Sequence, residues 1–237
     1  MKRVIILLLA VCLLYATACG VKTPTESGAP TDSGAPTDSV APASTEAPAN
    51  TGVENTPPAE LRGSVTKDAY VNELLGLRVA LPAGWTFSTE EQIAEVNGLT
   101  AELLAGTDVA EIMTANGQFM DMLMSTVGGS SINLILQPKQ SGLDDYTDEM
   151  VFQLVGEGIK AQFIAAGMEV KTLEPVTVRL GSGEKTALHM VLSASGVVMD
   201  EYQLWFRTTG DYMGILTVAL MGDPELQPIL DGITEQH

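Results

Sequence analysis

From residue 168 to residue 220 four extended runs follow one another, at 168–180, 185–195, 197–207 and 212–220. Only Gly181-Ser-Gly183, Gly196 and Gly210-Asp211 separate them. Links that short join antiparallel neighbours, because a parallel crossover needs about a dozen residues or more. Upstream the same grammar recurs. Asp68 to Pro82 reads as a hairpin turning at Gly76, with Leu77, Val79 and Leu81 on one face. Phe119 to Val127 and Ser131 to Lys139 flank Gly128-Gly129, a two-residue hairpin signal.

Helices fall between these pairs. Ser88-Thr-Glu-Glu91 has the form of a capping box, opening a helix with Ile93 and Val96 inward until Asn97-Gly98. A further helical stretch covers Val109 to Ala115, and the longest runs from Tyr146 to Ala166 before Gly167. Its expected inner stripe is Val151, Leu154, Val155, Ile159 and Phe163, and Asp145 and Asp148 suit its positive N-terminus. Asp223-Pro224 caps a short last helix ending near Ile233. The expected fold is α+β, a mostly antiparallel sheet flanked by helices as an α/β/α sandwich.

This grammar begins only near Leu61. Residues 21–60 carry a hexapeptide repeat, PTESGA-PTDSGA-PTDSVA, then further Pro, Thr, Ser and Ala without an aromatic. Such a stretch buries too little apolar surface to offset its ordering entropy, so it reads as a disordered spacer. As a flexible coil it spans roughly 35–40 Å. Before it, Lys2 and Arg3 precede the apolar run Val4 to Tyr15 and the small residues Ala16-Thr-Ala18. That is a secretory signal, and about 12 apolar residues make a helix of roughly 18 Å, too short to span a bilayer.

The small residues directly before Cys19 resemble the lipobox of bacterial lipoproteins, with Ala16 where that family most often has Leu. The resemblance implies a diacylglyceryl thioether at Cys19 and cleavage before it. Residues 1–18 are then a signal peptide, 19–60 a lipidated Cys and linker, and 61–237 the globular domain. Two acyl chains suffice for stable anchoring. Cys12 leaves with the signal, so Cys19 has no disulfide partner. Loss of Lys2 and Arg3 takes the formal charge from −18 to −20. That balance excludes nucleic acid and a lipid-binding basic surface, so attachment falls to the lipid.

Within the domain, Tyr70-Val-Asn72, Gly76-Leu-Arg-Val-Ala-Leu-Pro82 and Gly84-Trp85, with the helix and strand order that follows, resemble the PsbP-like fold. That family includes an extrinsic photosystem II protein and many bacterial lipoproteins. The resemblance implies a sheet-and-helix binding scaffold and brings no catalytic residues.

Each chemically suggestive cluster has a structural reading beside it. Met120, Met122 and Met124 on one strand face could present thioethers to Cu(I), but Met also fills core gaps, and no Cys or His is near. Asp144-Asp145-Tyr-Thr-Asp148-Glu149 offers oxygen ligands for Ca²⁺ without EF-hand spacing, and helix-start carboxylates explain it. Gly181-Ser-Gly-Glu-Lys185-Thr186 has Glu184 where a phosphate loop needs Gly, and reads as a hairpin turn. His189, opposite Leu188, Met190 and Leu192, reads as a half-exposed structural residue; the other histidine is the terminal His237. Trp85 reads as a core plug. No Gly-x-Ser-x-Gly elbow occurs. No metal, cofactor or catalytic residue is therefore assigned.

Glu201, Gln203, Trp205 and Arg207 share one face of a strand whose other face, Tyr202, Leu204 and Phe206, belongs to the core. An aromatic among charges suits a partner surface, or else a helix-covered sheet face. The expected function is a membrane-anchored extracytoplasmic lipoprotein with a non-catalytic binding domain for an envelope protein. The alternatives are a small-molecule or cation carrier and a carboxylate-dependent hydrolase.

Overall fold

The computed structural model describes residues 61–106, 108–222 and 225–235. The signal peptide, Cys19, the repeat linker, Asp223-Pro224 and His237 lie outside these residues. Among the described residues every strand pairing is antiparallel, in two sheets. A four-stranded sheet has the order β1 (Ser64–Val65), β2 (Ala69–Asn72), β3 (Leu77–Ala80), β11 (Ile233–Glu235). The larger has seven strands. They run β4 (Thr86–Phe87), β5 (Phe119–Ser125), β6 (Ser131–Pro138), β10 (Tyr212–Met221), β9 (Val197–Arg207), β8 (Gly183–Ala194) and β7 (Glu169–Leu180).

The four long strands begin and end within two residues of their expected limits, because glycine turns and alternation are local signals. Helices α1 (Glu90–Val96), α2 (Ala101–Gly106), α3 (Val109–Asn116), α4 (Asp148–Ala165) and α5 (Leu226–Asp231) complete the domain. The small sheet and the short helices cover one face of the large sheet, and α4 covers the other. One outer layer of the expected sandwich is thus a composite of strands and helices.

Between the sheets, Tyr70, Leu77 and Val79 meet Met122, Met124, Leu134, Leu204, Leu216 and Val218, with Ile93, Ile112, Met113 and Leu230 closing the sides. Trp85 plugs this core as expected. Beneath α4 a second core gathers Val151, Phe152, Ile159 and Phe163 against Leu188, Met190, Leu192 and Trp205. Burying side chains of this size contributes about 1.5–3 kcal/mol each.

Several local expectations shift. The capping box is one residue later: Thr89 accepts from Gln92 N while the Gln92 side chain accepts from Thr89 N. Val96 is only half-buried, and Ala94 takes the inward position beside Ile93. The β5–β6 link is longer than two residues, with Thr126 N donating to Ser130 O and Gly129 N to Thr126 O. Ile233 opens β11 instead of ending the last helix. In α4, Leu154 is 76% exposed, and Phe152 takes the inward place. The helix is apolar on several sides, so period alone did not choose its buried face. Gly167, at φ 82°, ends it in the left-handed region that glycine enters without strain.

Candidate functional site

A cleft of about 1100 Å³ opens where the β1–β2 edge of the small sheet, the β4–β5 edge of the large one and α1–α3 converge. Its inner wall is apolar, with Leu61, Ile93, Leu104, Val109 and Met122 all buried. The rim is polar and exposed, carrying Ser64, Glu73, Glu90 and Asp108 beside Val65. The geometry starts from one irregularity in β5. Met120 pairs with Ile135 and Met122 with Leu134, leaving Asp121 as a β-bulge. A bulge re-aims a side chain, and here Asp121 and Met122 both line the cleft. The three methionines therefore do not share a face: Met122 and Met124 join the intersheet core, and Met120 does not. Asn97, just past α1, steadies the irregular backbone by donating to Met120 O and accepting from Met120 N.

Asp121 is only 4% exposed. Its Oδ2 accepts from Gly63 N at 2.7 Å, from the Tyr70 hydroxyl at 2.5 Å and from Asn72 Nδ2 at 3.3 Å. Oδ1 accepts from Arg62 Nε at 3.3 Å, and Arg62 Nη2 also reaches Glu90 Oε2 at 3.0 Å. Burial pushes the Asp121 carboxyl above its ordinary range, against the pull of Gly63, Tyr70 and Arg62. Burial, and then Asp121 itself, raises the Tyr70 hydroxyl, which stays a donor. Asn72 completes the network through Leu61 O and Leu75 N. A carboxylate that gathers four donors, three of them on Oδ2, is a brace. Gly63 is needed there because a Cβ would lie 2.4 Å from the Tyr70 ring. Sequence reasoning passed over Asp121; the signal was a lone acid inside the apolar run Phe119-Met-Asp-Met-Leu-Met124.

The expected partner surface on β9 is corrected by burial. Glu201 and Gln203 are each 3% exposed and Trp205 8%. Trp205 meets Phe152 of α4 edge to face, with ring centroids 5.0 Å apart. The face is covered, and Trp205 and Arg207 meet the long helix there. Gln203 Nε2 donates to Glu201 Oε1 at 3.0 Å, yet burial pushes the Glu201 carboxyl up to about 7. Arg207 is half-buried and holds the start of α4, donating to Leu143 O, Tyr146 O and Asp148 Oδ1. With Trp205 it borders a smaller cavity of about 300 Å³ at the end of β9.

Two acids of the 144–149 run are paired, Asp144 with Lys139 and Asp148 with Arg207. The Gly181-Ser182 link is the turn between β7 and β8. His189 faces away from the α4 core, 2.6 Å from Asp200 and stacked on Tyr202 at 4.5 Å. Among the described residues no cluster of three or more His, Cys, Asp or Glu is arranged to hold a metal. Nor is any described helix long and apolar enough to cross a membrane.

The class these observations define is an α+β domain of two antiparallel sheets with helical layers. No protein-family model matches the chain, and no curated protein sequence matches it. Among solved structures it is similar to the solution structure of cyanobacterial PsbP (CyanoP) from Synechocystis sp. PCC 6803. Identity is 11% and the TM-score 0.36, over 64% of this chain and 78% of that one. At that score the likeness carries no argument, and the fold assignment rests on the pairing described above.

Proposed function

We propose that this chain is a membrane-anchored extracytoplasmic lipoprotein whose domain binds a component of the cell envelope without catalysing a reaction. The observation that carries the binding half is the cleft beside β1, with its apolar inner wall and polar rim. Concave sites that combine apolar contacts with convergent polar groups are where proteins take ligands. The acid at its floor, Asp121, is engaged by Gly63, Tyr70, Asn72 and Arg62, which supports a holding role over proton transfer. The anchoring half rests on the sequence alone, on the signal segment and Cys19. The small-molecule carrier reading draws on the same cleft and differs in what fills it.

Mass spectrometry of the mature protein from its native membrane tests the anchor. A diacylglyceryl-modified Cys19 is expected as the first residue, and an unmodified start elsewhere refutes it. A photo-crosslinking residue at exposed Val65 tests the binding half in intact cells. A reproducible protein adduct, lost when the crosslinker is moved to Leu154, is expected. Identical patterns from both positions would refute the cleft as the binding site.

A further inference from the structure

We propose that the cleft accepts an extended, cationic segment of another polypeptide, which adds as a strand to an open sheet edge. The inference rests on the cleft being the binding site and names what fills it. Among the described residues β1 has only β2 as a hydrogen-bonded neighbour, and β4 has only β5. Both are edge strands, and both line the cleft, through Ser64-Val65 and through Phe87. Unpaired edges offer N–H and C=O groups to an incoming strand, with affinity from the backbone and selectivity from alternate side chains. Both edges are two residues long, so they offer few groups, but neither carries the proline or lysine that would block them.

The lining sets the side-chain chemistry. Leu61, Ile93, Leu104, Val109 and Met122 give the alternate residues of a strand an apolar wall. Among the described residues that line the cleft, Glu73, Glu90, Asp108 and Asp121 stand against one cation, Arg62, which already pairs with Glu90 and Asp121. The surplus is negative and calls for basic residues on the strand. The chain's own linker does not meet that requirement. Residues 20–60 hold Lys22 as their only cation, against Glu26, Asp32, Asp38, Glu46, Glu54 and Glu60. Pro57-Pro58, three residues before Leu61 in the sequence, also lacks two backbone donors. The domain itself is also net acidic, with nine Lys and Arg against 24 Asp and Glu over residues 61–237, so a second copy is a poor match.

Fluorescence anisotropy on the mature chain at physiological salt tests this, with labelled octapeptides alternating lysine and valine, glutamate and valine, or lysine and valine interrupted by two prolines. The lysine–valine peptide is expected to bind at least about tenfold more tightly than either control. Glu73→Lys, at an exposed rim position, is expected to weaken it about three- to tenfold. Val65→Pro removes an edge donor and is expected to abolish it. Glu157→Lys, an exposed charge reversal on α4, is the control for diffuse attraction and leaves binding unchanged. Equal binding of the acidic or proline-interrupted peptide overturns the proposal, as does equal weakening by Glu157→Lys or no effect of Glu73→Lys. Absence of peptide binding together with a Val65 crosslink in cells overturns strand addition and leaves the cleft as the site. Absence of both overturns the two readings together.

Discussion

Replacing Glu201 by Gln is expected to stabilise the protein at neutral and alkaline pH and to leave it nearly unchanged in acid. Glu201 lies opposite Met190 on β8 and Ala219 on β10, and its only described hydrogen-bond partner is Gln203. Burial, opposed by that bond, moves its carboxyl from 4.5 to about 7. Below pH 4.5 the group is protonated in both folded and unfolded chains and contributes no penalty. Between the two values the unfolded chain ionises while the folded one keeps its proton, so stability falls as pH rises, by about 1.36 kcal/mol per pH unit. Above about 7 the loss levels off at roughly 3 kcal/mol, less whatever local relaxation and water entry recover. Gln at 201 preserves the acceptor for Gln203 and removes the titration. Urea unfolding followed by tryptophan fluorescence from pH 4 to pH 8 measures both chains. The difference between them is expected to grow from near zero to about 2–3 kcal/mol, mostly between pH 5 and 7. A gain independent of pH, or none above about 0.5 kcal/mol at pH 8, would refute the reasoning.

Asp121→Ala leaves Arg62, the Tyr70 hydroxyl and Asn72 without their shared acceptor, and is expected to cost about 3–5 kcal/mol in denaturant unfolding. Gly63→Ala drives a methyl into the Tyr70 ring and is expected to lower stability by about 1–3 kcal/mol, with retained far-UV dichroism. Leu154→Lys, despite its place in the apolar pattern of α4, is expected to change stability by less than about 0.5 kcal/mol, because the side chain is largely exposed.

The parts of the fold legible in the sequence were those decided locally. Gly181-Ser182, Gly196 and Gly210-Asp211 cut the long strands where the structure cuts them. The three shortest elements of pairing, β1, β4 and β11, have two or three residues each and no periodic signature, so they escaped notice. The bulge at Asp121 depends on how β5 registers against β6, which no window of β5 alone encodes. Glu201, Gln203 and Trp205 were correctly grouped on one face of β9, but alternation cannot tell whether a helix lies across that face. The cleft was illegible for a related reason. Its lining runs from Leu61 to Leu123 across three helices and four strands, and only the assembled sheets bring those residues together.

The Asp121 brace also has a mechanical side. Any pull arriving along the chain from its N-terminal end meets the domain at Leu61. Leu61 O, Arg62 and Gly63 N are fastened there to Asn72 and Asp121. Leu61, Arg62 and Gly63 precede every strand of the large sheet along the chain. They also border the cleft, so stretching and occupancy act on the same few contacts. Holding the first strand in place therefore falls to the same few side chains that shape the cleft.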